Sequence, residues 1–178
     1  MADQPDPVWL TREQVEGIHE SMLASYGGLA GVRDTGALES ALDRPMHRWH
    51  YSDDADIAEL AAAYGFALAK NHPFADGNKR TAFVSMATFY EQNGHQLTAT
   101  EADVVVLMVA VASGEISETR LATWLRDNTA PPRQKRLRER KGEKDKKHER
   151  GNAISNRHVA ASRQAGRQRV GPGAVAGK

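Results

Sequence analysis

Nine consecutive residues, His72-Pro-Phe-Ala-Asp-Gly-Asn-Lys-Arg80, hold a base, a carboxylate, a glycine and two cations directly ahead of an apolar pattern from Thr81 to Tyr90. The first N–H groups of a helix have no intrahelical partner and sit at the positive end of its dipole, so a helix starting here would bind phosphate. Histidine is the usual general base for a hydroxyl proton near neutral pH, which makes His72 the candidate catalytic residue. Pro73 predicts an extended His72 lying outside the helix. Phe74 reads as an inward anchor for the loop. Asp76 is a hard oxygen ligand that would repel bare phosphate but attract it through Mg²⁺. Gly77 lets the backbone take a φ that other residues resist and lets phosphate approach closely. Asn78, Lys79 and Arg80 offer backbone N–H groups as an anion nest, with a forked donor on Arg80 and a point charge on Lys79. Taken singly these residues are ordinary turn and surface chemistry, but at this spacing they describe transfer from a nucleotide to a hydroxyl, which demands positioning and charge stabilisation.

The elements that must position this loop read as helices. Thr11-Arg-Glu-Gln14 is a capping box, and Val15, Ile18, Met22 and Leu23 share one face. Tyr26 to Gly31 carries turn chemistry. Asp34 or Thr35 caps a short helix through Leu42, with Pro45 predicting its stop, and Met46 to Tyr51 shows no clear period. Ser52 or Asp53 opens a long helix whose apolar residues cover several faces and whose Ala and Gly content predicts close, central packing. The next helix spans Asn78 to about Gln92 and stops at Asn93-Gly94. Residues 95–99 read as a short extended piece, Thr100-Glu-Ala-Asp103 caps another helix, and a last helix runs from Ser117 to about Asp127. The fold class is all-α, a bundle of about six helices with room for a small β-hairpin near residues 46–51.

Composition divides the chain. Up to Ala130 there are nine Lys/Arg and nineteen Asp/Glu, a net of −10, whereas from Pro131 onward fifteen Lys/Arg and four Asp/Glu give +11. The expected organisation is a flexible N-terminus at 1–8, a folded domain at 9–130 and a basic, disordered tail at 131–178, with a helical stretch from 133 to about 150. The tail suits nonspecific RNA contact through phosphates, but without Phe, Trp or Tyr it lacks a platform for base stacking. With no Cys there are neither disulfides nor thiolate metal sites, and Met1 to Pro7 lacks the layout of a signal peptide. The longest apolar run, Val104 to Ala112, is about half of the ~20 residues that span a bilayer, so a cytoplasmic protein without membrane contact is expected. Trp9, Trp49 and Trp124 read as packing anchors, His19 and His95 as surface or helix-end residues, and Arg33-Asp34 and Asp43-Arg44 as ion pairs or caps. His47 and His50 have no evident third metal ligand.

The stretch His72-Pro-Phe-Ala-Asp-Gly-Asn-Lys-Arg-Thr-Ala-Phe83 resembles the signature of the Fic/Doc family, HxFx(D/E)GNGRxxR in its Fic branch, and its Asn-Lys-Arg ending is similar to the Doc, or death-on-curing, toxins. Tyr26-Gly-Gly-Leu29, Gly31-Val-Arg-Asp34, Leu38-Glu-Ser-Ala41 and Ser113-Gly-Glu-Ile-Ser117 also look like Doc-type sequence, so the likeness covers roughly Trp9 to Asn128. It implies a six-helix Fido domain with a flap near 46–51 that aligns a target by strand pairing. It also implies His72 as the base, Asp76 on Mg²⁺, and Gly77, Asn78, Lys79 and Arg80 on the phosphates of ATP. Lys79 stands where AMP-transferring members have Gly, and Phe83 where they have a last arginine. Both departures favour phosphate transfer to a Ser or Thr of a target, a translation elongation factor by resemblance. The alternatives are AMP transfer and a non-catalytic binding module with an RNA-contacting tail. Thr35 to Glu39 is the nearest match to the family's inhibitory helix pattern, but Ser40 follows where Gly or Asn is required. A separate antitoxin chain is therefore expected as a partner.

Overall fold

The computed structural model describes residues 6–52 and 54–130. The predicted tail, its helical stretch and its RNA contact lie outside the described residues. Six helices follow in order: α1 (Arg12–Tyr26), α2 (Thr35–Tyr51), α3 (Ile57–Asn71), α4 (Asn78–Gln92), α5 (Glu101–Ser113) and α6 (Glu118–Asp127). Among the described residues there is no β-strand longer than an isolated bridge, so the fold is all-α. None of these helices is long and apolar enough to cross a membrane.

Helix α3 is the centre, packed against α2, α4, α5 and α6, while α1 covers α4. Its run from Leu60 to Gly65 is buried on every side. Small residues make this possible: a Cβ added at Gly65 would come within 2.6 Å of the Met86 sulfur on α4. Around this axis Val15, Leu38, Phe74, Phe89, Val111, Leu121 and Leu125 form one core. Burying a side chain of this size contributes about 1.5–3 kcal/mol, which is why a polar-surfaced chain still folds.

The capping boxes at Thr11–Gln14 and Thr100–Asp103 both form, and Asn93 closes α4. Residues 96–98 run extended beside 128–130, with Thr98 N–H donating to Asn128 O and Ala130 N–H to Gln96 O, each at 2.8 Å. Trp9 packs on Phe89 at 5.8 Å between ring centres, and Trp49 and Trp124 lie partly buried against the core.

Two expectations fail here. Helix α2 runs through Pro45 to Tyr51, so residues 46–51 are helical and hold no hairpin flap. Proline in a helix interior removes a hydrogen bond at a cost of about 3 kcal/mol. The later turns are held instead by side chains: Arg44 and Arg48 both reach Glu118 on α6, at 2.7 and 2.9 Å, and Arg48 also reaches Glu59 at 3.2 Å. The start of α3 is also displaced. Ser52 ends α2, and Asp56 caps α3 by accepting from Glu59 N–H at 2.9 Å. Asp56 and Glu59 then pair with Arg126, at 2.9 and 3.3 Å, extending the ionic network across α2, α3 and α6.

Candidate active site

Helix α3 ends in His72, whose φ of 47° and ψ of 55° are left-handed. This overturns the extended conformation expected before proline. The left-handed turn caps the helix and sends the chain sharply away, and its steric cost of about 1–2 kcal/mol is borne by the contacts that follow. Arg33 Nη2 donates to the His72 carbonyl at 2.5 Å. The Pro73 carbonyl accepts from Arg33 N–H at 2.7 Å and Asp34 N–H at 3.1 Å, and Ala75 N–H donates to Gly31 O at 3.0 Å. A bridge between Val32 and Phe74 completes this pairing. The extended segment beside the loop is thus residues 31–34, which precede α2, and not the far end of that helix.

Two side chains clamp the loop from within. Asn78 Nδ2 donates to Phe74 O while its Oδ1 accepts from Phe74 N–H, both at 2.9 Å. His19 of α1 is only 3% exposed, its ring stacked on Phe74 at 4.0 Å between centres. Its Nε2 donates to the Asp76 carbonyl at 3.0 Å. The Asp76 carboxylate turns back to accept from Gly77 N–H at 2.6 Å. Gly77 caps α4 in a left-handed conformation with φ 73°. The other five helices have side-chain caps; α4 has none, so its first N–H groups keep no cap partner.

The result is an open cleft of about 350 Å³. It brings together all six residues predicted for the site: His72, Asp76, Gly77, Asn78, Lys79 and Arg80. His72, Asp76 and Lys79 are exposed, and Arg80 is partly covered. The Arg80 guanidinium lies 5.2 Å from the Tyr26 ring centre and reaches Gly27 O at 3.4 Å, joining the end of α1 to the cleft. A Cβ added at Gly28 would fall 2.7 Å from Asp76 Oδ2, so only glycine permits this approach. Phe74, 1% exposed, is the inward anchor expected. Among the described residues no group of three His, Cys, Asp or Glu could enclose a metal. The single Asp76 carboxylate at the uncapped start of α4 would fit Mg²⁺, an ion that keeps most of its waters and takes few protein ligands.

Two site residues escaped the sequence reading. Arg33, read as an ion pair or cap, lines the cleft. His19, read as a surface or helix-end residue, is buried beneath the loop. A signal for His19 existed: it lies four residues after Val15, on the buried face of α1. Arg33 had no such signal, because its partner carbonyl is 39 residues away.

An all-α body whose central helix leads through His72-Pro-Phe-Ala-Asp-Gly into an uncapped cationic helix defines a Fido-type domain. The chain belongs to the Fic/DOC family, whose profile matches residues 9–90. It is similar to the "Protein kinase doc" of Escherichia phage P1, 36% identical over 117 residues that cover 66% of this chain and 92% of that protein. It is also similar to the "Toxin Doc" of Mycolicibacterium smegmatis, 44% identical over 77 residues covering 42% of this chain and 58% of that protein. These relatives place it among the Doc-type toxins of the family.

Proposed function

We propose that this chain is a Doc-type toxin that moves the γ-phosphate of ATP to a Ser or Thr hydroxyl of a target protein, and that the target is a translation elongation factor. The single observation supporting this most strongly is that an exposed His72 and the uncapped, cationic start of α4 share one cleft. In this reading His72 removes the hydroxyl proton. The freed oxygen forms a bond to the γ-phosphorus as the bond to the β,γ-bridging oxygen breaks, and ADP leaves. The N–H groups of Asn78, Lys79 and Arg80, with the side-chain charges of the last two, hold the phosphates where charge accumulates. Asp76 is the carboxylate that would hold Mg²⁺, whose charge would neutralise neighbouring phosphate oxygens. The Lys79 side chain, exposed in the cleft, favours transfer of the terminal phosphate over AMP transfer. A relative named as a kinase supports the same chemistry, and a second named as a toxin supports a separate antitoxin as partner in a cytoplasmic setting.

Incubating the purified protein and Mg²⁺ with a cell extract and either γ- or α-labelled ATP tests the reading. Label on a target from the γ-position alone is expected, and a His72→Ala protein should transfer none. Label from the α-position alone would replace phosphate transfer with AMP transfer. Nucleotide binding without label from either position would leave a binding module.

A further inference from the structure

We propose that Arg33 is a phosphate-binding residue of the cleft, contacting the outermost phosphate of the bound nucleotide while it holds the backbone of the base. The inference rests on the nucleotide reading above and adds a cation from outside helix α4.

The Arg33 side chain lines the cleft together with His72 and Lys79 and is exposed there. Its Nη2 is committed to the His72 carbonyl at 2.5 Å, and its own backbone is paired to Pro73 O at 2.7 Å. A guanidinium carries five donors in one rigid plane, so the others remain for a ligand. Among the described residues no carboxylate lies within ion-pair distance of it; the paired arginines are Arg12, Arg44, Arg48 and Arg126. The neighbouring Asp34 carboxylate is occupied in capping α2, accepting from Ala37 N–H at 2.9 Å. An arginine whose role was purely structural would be expected to use more of its fork. This one is anchored by a single arm and presents the rest to a concave, cationic surface.

The anchor also selects the phosphate. Arg80, the other guanidinium of the cleft, is tied to Tyr26 and Gly27 at the end of α1. Arg33 is tied to the residue that carries the base, so the phosphate within its reach is the one beside His72. That is the phosphate to be transferred. One side chain therefore links occupancy of the terminal phosphate site to the left-handed backbone that aims the imidazole.

Calorimetric titration of the full chain with Mg²⁺ and ATP, ADP or AMP tests this, using Arg33→Gln and Arg33→Lys. Arg33→Gln should weaken ATP binding by about 10-fold or more, as loss of charge-assisted hydrogen bonds does. AMP binding should be unchanged and the salt dependence of ATP binding should flatten, while the thermal midpoint should drop with the lost bond to the His72 carbonyl. Arg33→Lys should fall between, retaining charge without the fork. ATP affinity equal to wild type would overturn the proposal, even with slower transfer, because Arg33 would then act on the backbone alone. An equal loss of ATP and AMP affinity would also overturn it. Absence of nucleotide binding by the wild-type chain would instead fail the functional reading itself, and this inference with it.

Discussion

The imidazole of His19 meets the main-chain carbonyl of Asp76 at 3.0 Å while its ring lies flat on Phe74. Helix α1 thereby grips the loop from below, leaving the Asp76 carboxylate on the cleft side. A carbonyl only accepts, so Nε2 carries the proton in this bond. The side chain fixes position, and the chemistry is left to its neighbours.

His19→Phe preserves the stack and removes the bond. Stability should fall by about 1–3 kcal/mol, because a part-buried carbonyl loses its donor. Phosphate transfer should fall by about 10-fold or more, since misplacement of a positioned group is costly. Denaturant midpoints and initial transfer rates would show both. An unchanged rate would mean that Asp76 holds its place without the tether.

His72 is the one non-glycine residue with positive φ among those described. Its strain predicts that function opposes stability here. His72→Gly should be more stable than His72→Ala by about 1 kcal/mol, because glycine enters the left-handed region freely. Both variants should lose transfer. Equal unfolding midpoints for the two would argue against strain at this position.

Gly27 and Gly28 form a matched pair. Alanine at Gly28 would place its Cβ 2.7 Å from Asp76 Oδ2 and 2.8 Å from Leu23 Cδ2, whereas Gly27 has open space. Both have positive φ, so each alanine costs about 1–3 kcal/mol of backbone strain. Only Gly28→Ala should also raise the Mg²⁺ concentration needed for nucleotide binding, by displacing the carboxylate. A Mg²⁺ titration of the two variants separates the effects.

Stability should decline at both ends of the pH scale, for different residues. Burial lowers the His95 pKa from 6.5, partly opposed by the charge of Asp56. The unfolded chain therefore takes up the proton first, and this contribution is lost as pH falls below about 6.5. His95→Gln should flatten the acid side of a melting curve series. Burial pushes Tyr64 up to about 12, although Leu10 N–H bonds its hydroxyl. The unfolded phenol ionises first, so stability should drop between about pH 10 and 12. Tyr64→Phe should reduce that loss at high pH.

The parts of the molecule legible in the sequence are those decided within a few residues. The Thr11 and Thr100 capping boxes, the Asn93 stop and the glycine start of α4 are local, and they stand as read. So does the grouping of His72, Asp76 and Arg80, because a short loop leaves them little room to part. What was misread depends on distant partners. Pro45 breaks a helix in isolation, but Glu118, 70 residues beyond Arg48, holds the later turns in place. His72 should be extended before proline, yet Arg33 holds it left-handed from 39 residues away. His19 seemed a surface residue because the loop it supports lies 57 residues further on.

The reciprocal pair between Asn78 and the Phe74 backbone has a kinetic consequence. The Phe74 amide is buried and bonded to a side chain of the helix that follows, so it should exchange with deuterium on the timescale of helix interiors. By this measure the loop from His72 to Gly77 belongs to the same cooperative unit as α3 and α4. Its ordering entropy is then lost when the chain folds, and the nucleotide of the proposed reaction would meet a template already set.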